Sequence, residues 1–592
     1  MARLSAAEPD AVRAVLGRLR VKELITPREP PVFSGELEFA FRHVLIRDVA
    51  YDSLPKALRS AKHVEVARWA EQRARDRAEE LAEVVAAHYL QAIAYQEELD
   101  ELPDRGLDAA ASRWAATAGK RAMRLWQPKE AYRWYGEAVR LGERSGLDQG
   151  DLAKLMEGAV DASTGSASLA KTRELAQRAF GLFEATGDPR GMARMEHRVA
   201  AAAFDLGEDD EVPGWAERAI ARLEPMGDSR ELAAILEFYG NFLRRQGRVE
   251  EARPLLERAL EIATSLDEPA VAGHAALSLG IVLIHLGDIR GGMEMTERGY
   301  AAAQEAGELQ LLLRAHNNLV STTMDYAPNY PRGWDLIWRG IELSQRSGRR
   351  DYEGWLWQNA GNYAFDQGKL DVLERAAVMT REIGDSLTYH HIRQSADYYE
   401  GLLHFLRGDL DSAEAALARS FAADPELQAL PYVFVLRGDI AAERGDRDAA
   451  ISAYREAVER VKGERMLGMV DEAMTRLIRA LALAGRANEA APHLEGLRAI
   501  SCDRPGAMAG LVWAEAMLAG DPHVRVEWLR AAVEEFEQVG RVVDEARARL
   551  DLADALDAAG LEGAPERERA HTMLEEQRVR AFRADSSRTV PD

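Results

Sequence analysis

Residues 236–264, with the sequence LEFYGNFLRRQGRVEEARPLLERALEIAT, carry the pattern that decides the fold. Residues spaced i, i+3, i+4 and i+7 share one face of a helix. This spacing relates four residues of the first half: Leu236, Tyr239, Gly240 and Leu243. Gly247 then interrupts the helix, as a residue free to take positive φ does at a helix C-terminus. The second half places five apolar residues on one face of a second helix: Ala252, Leu255, Leu256, Ala259 and Leu260. A hairpin of two such helices cannot bury both apolar faces alone, so the pattern predicts neighbouring hairpins that cover them.

Glycines recur along the chain at the position that Gly247 occupies in its hairpin. They are Gly207, Gly247, Gly287, Gly368, Gly408, Gly445, Gly485, Gly520 and Gly560. The spacing between successive members lies between 35 and 40 residues, except for one interval of 81 residues. That interval, between Gly287 and Gly368, is twice the period. It therefore contains one hairpin whose turn has lost its glycine.

The repeated hairpin resembles the tetratricopeptide repeat. The shared features are a small residue in the first helix, a glycine before the second helix and an alanine five residues after that glycine. The copy at residues 431–461, PYVFVLRGDIAAERGDRDAAISAYREAVERV, shows them best. The resemblance covers roughly residues 106–575, and its period of about 40 residues exceeds the usual 34, which implies longer helices. It implies an all-α fold, a tetratricopeptide-like α-solenoid, but such an architecture does not fix an activity.

We expect four parts along the chain. Residues 1–42 form a partial winged-helix remnant, and residues 43–105 form a helical connector. Residues 106–582 form a tetratricopeptide-like superhelix of about twelve hairpins, and residues 583–592 form a disordered tail. The first part is predicted from a helical pattern followed by an alternation typical of a strand, at Leu37, Phe39 and Phe41. A helix and two short strands cannot close a core, so this part resembles only the last half of a winged-helix domain.

The composition is that of a globular helical protein without a basic surface. Hydrophobic residues make up 47% and charged residues 30%, and the net charge is −23. So negative a charge argues against a broad contact with nucleic acid or with an anionic membrane, because phosphate groups bind basic faces. The single cysteine, Cys502, leaves no intrachain disulfide or thiolate zinc site. The sequence has no apolar run typical of a signal peptide or a membrane span, so we expect a cytoplasmic protein.

Residues 38–71, EFAFRHVLIRDVAYDSLPKALRSAKHVEVARWAE, resemble a junction found in large bacterial signalling proteins. Those proteins join a class III nucleotidyl cyclase or a DNA-binding domain of the LuxR type to a STAND-type ATPase and a long tetratricopeptide tail. The resemblance covers about residues 20–95. It implies that this chain corresponds to the C-terminal part of such a protein, lacking the ATPase and cyclase modules.

The sequence carries no motif for ATP hydrolysis or other catalysis. A P-loop requires GxxxxGK[ST], whose amides and lysine hold the phosphates. The two Gly-Lys pairs, at Gly119 and Gly368, are followed by neither Ser nor Thr. GxSxG and HExxH are also absent. We therefore expect no enzyme, no catalytic residue, no metal and no cofactor.

The interval between Gly287 and Gly368 breaks the repeat pattern and concentrates aromatic and amide residues. Nine aromatic residues fall within forty positions there, although aromatic residues make up 7% of the chain. We select eleven candidate groove residues: Asn317, Asn318, Tyr326, Tyr330, Trp334, Trp338, Arg349, Trp355, Asn359, Asn362 and Tyr363. Counting from the expected turn places Asn318 and Asn359 at the same site of successive first helices. In tetratricopeptide repeats these helices line the concave groove.

Two interpretations of this region remain open. In the first, aromatic rings and amides bind a peptide or a small ligand, and Arg314, Arg349 or Arg350 receives a carboxylate. In the second, the aromatic rings fill the gap left by an irregular loop and the asparagines cap helix ends. Local rule-breaking in a regular repeat favours a functional role.

We predict a non-catalytic scaffold that binds a protein or peptide partner in its concave groove, in bacterial signal transduction. The coupling to signalling is implied by the family resemblance alone. The alternative is a regulatory or sensor tail of an ATPase-linked adenylate cyclase or transcriptional regulator, which binds a small effector. In that case an ATPase or cyclase module is also a partner.

Overall fold

The structure is a computed structural model, and it describes residues 8–28, 37–73, 77–164, 167–326, 329–387, 390–422, 430–462, 467–502 and 504–582. The predicted tail at residues 583–592 lies outside the described residues. The chain divides into two compact units, Met1–Gly227 and Asp228–Asp592. Both units are built from α-helices, and the described strands form a single two-stranded ribbon.

The first unit begins with a helix, the ribbon and three further helices. Their bounds are α1 Pro9–Val21, β1 Ile25–Pro27, β2 Phe39–Phe41, α2 Val44–Asp52, α3 Lys56–Arg73 and α4 Ala78–Glu98. The strands are antiparallel, with Ile25 opposite Phe41 and Pro27 opposite Phe39. Helices α1 and α2 bury none of their residues. The helix α1 and the strand that contains Phe39 and Phe41 lie where the sequence pattern predicts a helix and a strand. The winged-helix interpretation of residues 1–42 stays a prediction.

Three helical hairpins complete the first unit. Their bounds are α5 Arg105–Arg124, α6 Pro128–Ser145, α7 Gln149–Ser163, α8 Leu169–Thr186, α9 Pro189–Asp205 and α10 Val212–Leu223. Short 3-10 helices, Asp209–Glu211 and Glu224–Met226, flank α10.

Nine helical hairpins form the second unit. Their bounds are α11 Arg230–Arg245, α12 Val249–Ser265, α13 Pro269–His285, α14 Ile289–Ala306, α15 Leu309–Tyr326, α16 Tyr330–Ser347, α17 Arg350–Asp366, α18 Leu370–Leu387, α19 His390–Leu406, α20 Leu410–Ala422, α21 Leu430–Glu443, α22 Arg447–Lys462, α23 Leu467–Leu483, α24 Ala487–Ser501, α25 Pro505–Leu518, α26 Pro522–Val539, α27 Val542–Ala558 and α28 Ala564–Glu576. The hairpin α15–α16 lies in the 81-residue interval and confirms the repeat predicted there. The described helices confirm the predicted all-α, tetratricopeptide-like solenoid.

The turn glycines end the first helix of each hairpin because they adopt positive φ, which side chains disfavour. At Gly247, φ is 74°, and the amide of the next residue, Arg248, donates to the carbonyl of Leu243 at 2.9 Å. Eight of the nine predicted turn glycines show positive φ. Gly520 is the exception: it lies between α25 and α26 but does not have positive φ, so its turn does not need glycine for a left-handed conformation.

Small residues allow the two helices of a hairpin to approach closely. A Cβ atom on Gly240 would lie 2.7 Å from Cγ of Leu256, closer than packed carbon atoms normally come. The predicted apolar face of the first helix is buried, with Leu236 and Leu243 each 2% exposed. The hairpin therefore packs as the sequence pattern predicts.

The last hairpins of the second unit contact earlier ones. Helix α27 packs against α17, and α25 packs against α15. The ninth hairpin of this unit therefore contacts the fourth, and the eighth contacts the third.

Candidate functional site

The first helices α11, α13, α15 and α17 pack directly against one another in order. We call the polar side chains that they present along one side the polar face. Its members are Glu237, Asn241, Arg244, His274, Ser278, Arg314, Asn317, Ser321 and Asn359.

Arg314 on α15 is the centre of the polar face. Its Nη1 donates to Oε1 of Glu237 at 3.0 Å, and its Nη2 donates to the hydroxyl of Ser278. The Ser278 hydroxyl in turn donates to Oε1 of Glu237 at 2.8 Å. Nη1 also lies 2.8 Å from Nδ1 of His274. Because a guanidinium group only donates hydrogen bonds, Nδ1 of His274 must accept, and the imidazole is neutral.

The electrostatics of this cluster follow from burial beside fixed positive charge. Burial, and then the charge of Arg314, lowers the pKa of His274 to about 4. Burial is the largest single effect and raises the pKa of Glu237. The charge of Arg314, the neighbouring His274 and the hydrogen bonds from Ser278 and Arg314 together outweigh it and lower that pKa below its usual value. At neutral pH, Glu237 is therefore ionised and His274 is neutral.

A second cationic group lies at the C-terminal end of α11. Nε of Arg244 donates to Oδ1 of Asn241 at 3.1 Å. Burial and the like charges of Arg314 and Arg245 lower the pKa of Arg244 to about 9. Burial and the charge of Arg244 also lower the pKa of His285 to about 4. The carboxylate of Glu237 opposes the shift at Arg244, but the net effect of the surroundings still disfavours its positive charge, so this end of the polar face favours an anionic group.

Amide groups continue the polar face onto α17. Nδ2 of Asn359 donates to Oδ1 of Asn317 at 2.9 Å, and the Ser321 hydroxyl donates to Oδ1 of Asn359 at 3.2 Å. The amide that meets Asn359 is that of Asn317, not that of Asn318, the residue reached by counting from the expected turn. Asn318 is half-buried, and its backbone carbonyl accepts a hydrogen bond from Thr322 at 2.9 Å. The count differs by one residue because the turn after α15 has no glycine to mark its position.

Most of the candidate aromatic residues are not part of the polar face and lie between helices of the two hairpins α15–α16 and α17–α18. Trp334 stacks on Trp338 with ring centres 5.5 Å apart and meets the edge of Tyr363 at 5.6 Å. Tyr330 contacts the same Tyr363 at 5.3 Å. Tyr363 is fully buried, whereas Trp338 is 42% exposed. The ring contacts of Tyr330 and Trp334 with Tyr363 join α16 to α17, and the packing interpretation of this group stays a prediction.

The remaining candidates are engaged in local contacts. Trp355 meets the ring of Tyr352 at 5.4 Å, and the buried Tyr326 lies 5.2 Å from the Arg504 guanidinium carbon. Arg349 forms two hydrogen bonds, of 2.9 and 2.7 Å, with the carboxylate of Asp351. Asn362 accepts a hydrogen bond from the hydroxyl of Tyr399 at 2.8 Å. The eleven candidates therefore do not form one site. Of them, Asn317 and Asn359 lie on the polar face.

Sequence reasoning did not select Glu237, His274 or Ser278, and it named Arg314 solely as one of three arginines. A signal was present: His274 and Arg314 are 40 residues apart, one period of the repeat. Superposing the repeats would have shown polar residues recurring at one site of successive first helices.

The described residues show no group of three or more His, Cys, Asp or Glu side chains able to hold a metal ion. Nor does any helix among them combine the length and apolar character needed to cross a membrane.

Two segments of the chain match family models of the tetratricopeptide repeat, residues 231–319 and residues 431–460. These matches confirm the resemblance to tetratricopeptide-repeat proteins, and the first match covers α11, α13 and most of α15. No curated protein matches the chain.

Solved structures with a similar helical architecture include three of different kinds. One is a signal transduction ATPase with numerous domains and a tetratricopeptide repeat sensor from Pyrococcus horikoshii, at 15% identity and a TM-score of 0.38, covering 73% of this chain and 60% of that chain. Another is a Rap protein complexed with competence and sporulation factor, at 16% identity and a TM-score of 0.40, covering 70% of this chain and 99% of that chain. A third is the APC/C hetero-tetramer Cut9–Hcn1, at 13% identity and a TM-score of 0.44, covering 78% of this chain and 88% of that chain. This chain therefore spans less than two thirds of the length of the archaeal ATPase.

Proposed function

We propose that the protein is a non-catalytic tetratricopeptide scaffold of a signalling system that binds a peptide segment of a partner protein on the polar face. One observation supports this most directly: four successive first helices carry buried or half-buried donors and acceptors along one side, most of them hydrogen-bonded to one another. A peptide backbone offers a donor and an acceptor at nearly every residue, so a row of such groups suits it. The repeat architecture favours this use, because stacked repeats create extended binding surfaces.

The charges of the polar face define the peptide that would bind. Arg314 and Arg244 are opposed by Glu237, and the neighbouring histidines are neutral. An acidic side chain or a C-terminal carboxylate of a peptide would therefore find a cationic position beside Arg244. The amides of Asn317 and Asn359 would contact the backbone further along, since an amide group can both donate and accept.

The second candidate function is that of a sensor for a small anionic effector. The compactness of the cluster around Arg314 favours it, because three polar groups converge on one guanidinium within hydrogen-bond distance. In this proposal the chain is the regulatory tail of an ATPase-linked cyclase or transcriptional regulator, as the resemblance of residues 20–95 implies. The polar face would then report effector binding to a module at the N-terminal side.

A display library of short peptides, followed by fluorescence polarisation with the selected sequences, tests the first proposal. Arg314→Lys keeps the charge but loses the forked geometry that binds two acceptors at once. We expect it to weaken peptide binding about tenfold. Arg253→Ala is the matched control, because Arg253 lies exposed on a second helix and pairs with Glu257 one turn away. Its peptide affinity should equal that of the unmodified protein.

Two results would count against the peptide proposal. Equal losses in the Arg314→Lys and Arg253→Ala variants would show that the peptides bind elsewhere. If no peptide binds, while one anionic metabolite raises the melting temperature in a concentration-dependent way, the sensor function replaces the scaffold function.

A further inference from the structure

Two charged side chains at opposite ends of the polar face have no counter-charge. Glu308 directly precedes α15, and Arg244 lies in the last turn of α11. Oε2 of Glu308 lies 4.0 Å from Nε2 of His274, but that imidazole is neutral. Arg244 donates to the neutral amide of Asn241. Among the side chains that the structure describes, neither group therefore forms an ion pair with an oppositely charged residue.

The surroundings disfavour the charge of both groups. Burial raises the pKa of Glu308, and the charge of Arg230 opposes this rise without cancelling it. Burial and the like charges of Arg314 and Arg245 lower the pKa of Arg244 to about 9. An opposite charge nearby favours the charged form of a group. Glu308 therefore favours a cationic group of a ligand, and Arg244 favours an anionic one.

The centre of the polar face, between these two ends, is electrically balanced. Nη1 of Arg314 donates to Oε1 of Glu237 at 3.0 Å, which pairs one positive charge with one negative charge. The Ser278 hydroxyl donates to the same oxygen at 2.8 Å. The amide of Asn317 lies about one turn further along α15 from Arg314. Since this centre has donors and acceptors but no net charge, it suits a peptide backbone better than a charged side chain.

Helix α13 measures the distance between the two ends because it passes both of them. His274, in its first half, faces Glu308. His285 and Arg244 lie in the last turns of α13 and α11, which pack against each other, and the charge of Arg244 adds to burial in lowering the pKa of His285. His285 follows His274 by eleven residues, a rise of about 16 Å along a helix. An extended chain covers that length in about five residues.

We infer that the polar face binds an extended peptide segment with a basic and an acidic side chain about five residues apart, the base at Glu308 and the acid at Arg244. This inference rests on the proposed peptide-binding function and specifies its ligand. The backbone between the two charges contacts the balanced centre around Arg314. A uniformly acidic segment is rejected at Glu308, and a uniformly basic one at Arg244, because like charges repel.

Double-mutant cycles between the full chain and a bound peptide test this pairing. The peptides are selected by display and capped at both ends, so that their charges come from side chains alone. Glu308→Gln and Arg244→Met each remove one charge from the protein with little change of shape. Replacing the base of the peptide by alanine should weaken binding to the unmodified protein about tenfold and leave binding to Glu308→Gln unchanged. The acid of the peptide should be coupled in the same way to Arg244.

Glu268→Gln is the matched control. Glu268 directly precedes α13 as Glu308 precedes α15, forty residues later, but it already pairs with Arg230 at 3.2 Å. It should therefore show no coupling to either charge of the peptide. The peptide variants are also measured on the unmodified protein, so a folding defect in one protein variant does not decide the result.

Three results would overturn the inference while leaving the peptide-binding function intact. They are selected peptides that lack the pair of charges, bound peptides whose charges are not coupled to Glu308 and Arg244, and a base that is coupled equally to Glu268. Failure of the proposed function itself has a different signature, because no selected peptide would then lose affinity in the Arg314→Lys variant. The inference would fall with it.

Discussion

Gly280 on α13 offers the sharpest test of how these hairpins pack, because its replacement brings two opposing effects into conflict. A Cβ atom at this position would lie 2.6 Å from Oγ1 of Thr296 and 2.8 Å from the backbone carbonyl oxygen of Gly292, both on α14. The backbone oxygen cannot turn aside as a flexible side chain can, so the two helices must separate. Overpacking of this kind costs about 1–3 kcal/mol.

Alanine is also the better helix former, which works in the opposite direction. Replacing a mid-helix glycine by alanine stabilises a helix by about 1 kcal/mol. Since the clash at Gly280 involves backbone on the partner helix, we place its cost at the upper end of the range. The expected net effect of Gly280→Ala is then a destabilisation of about 1–2 kcal/mol.

Gly401→Ala in the same unit is the matched control. Its new Cβ would lie 3.4 Å from the nearest atom, the carbonyl oxygen of Ala413, which is an ordinary contact distance. This variant keeps the helix-propensity gain without the clash and should stabilise its hairpin by up to about 1 kcal/mol. Native-state hydrogen exchange of α13 and α19 measures each hairpin separately, which suits a repeat protein whose units unfold locally. If both substitutions were neutral or stabilising, the close approach of α13 and α14 would be refuted.

Three further predictions concern single side chains. Gly247→Ala should lower the free energy of unfolding by about 1 kcal/mol or more because φ is positive at this position. Gly520→Ala should leave that free energy nearly unchanged, and urea unfolding compares the two variants. Ser229→Ala should lower the free energy of unfolding by about 1 kcal/mol because the Ser229 hydroxyl caps the N-terminus of α11. Its control, Asp228→Ala, loses an exposed ion pair with Arg258 and should change that free energy by less than about 0.5 kcal/mol in the same assay. Burial, together with the neighbouring His88, lowers the pKa of His63 to about 4. Between pH 6.5 and 4 the unfolded chain therefore binds more protons than the folded one, and the free energy of unfolding should fall as the pH drops through this range. Thermal unfolding of His63→Gln should show a flatter pH dependence.

The local geometry of the repeats could be predicted from the sequence because it depends on constraints within one hairpin. Positive φ at Gly247 is required by the chain reversal itself, and glycine is the residue that adopts it at least cost. The hairpin hidden between Gly287 and Gly368 followed from the period alone. The turn between α15 and α16 has no glycine, so counting from its expected position gave a result that was wrong by one residue. It paired Asn318 with Asn359, whereas the structure pairs Asn317 with Asn359.

The candidate site could be predicted less well, because its contacts cross several hairpins. Arg314 and Glu237 are 77 residues apart, and their hydrogen bond depends on how three first helices stack. The aromatic excess between Tyr330 and Tyr363 was a true feature of the sequence. Much of it fills the space between α15, α16 and α17, and a composition count cannot distinguish a packed ring from one that contacts a ligand.

Helix α27 shows why a charge pattern can be interpreted only together with the helix that packs against it. Asp544, Arg547 and Asp551 are spaced i, i+3 and i+7, a pattern that in an isolated helix indicates a solvated face. Helix α23 carries the matching pattern, with Arg476 and Arg479 opposite the two aspartates and Glu472 one turn before. The two patterns are complementary in sign, so each explains how the other can be buried. The repeat periodicity accounts for contacts between successive hairpins, whereas this complementarity joins the ninth hairpin of the unit to the seventh.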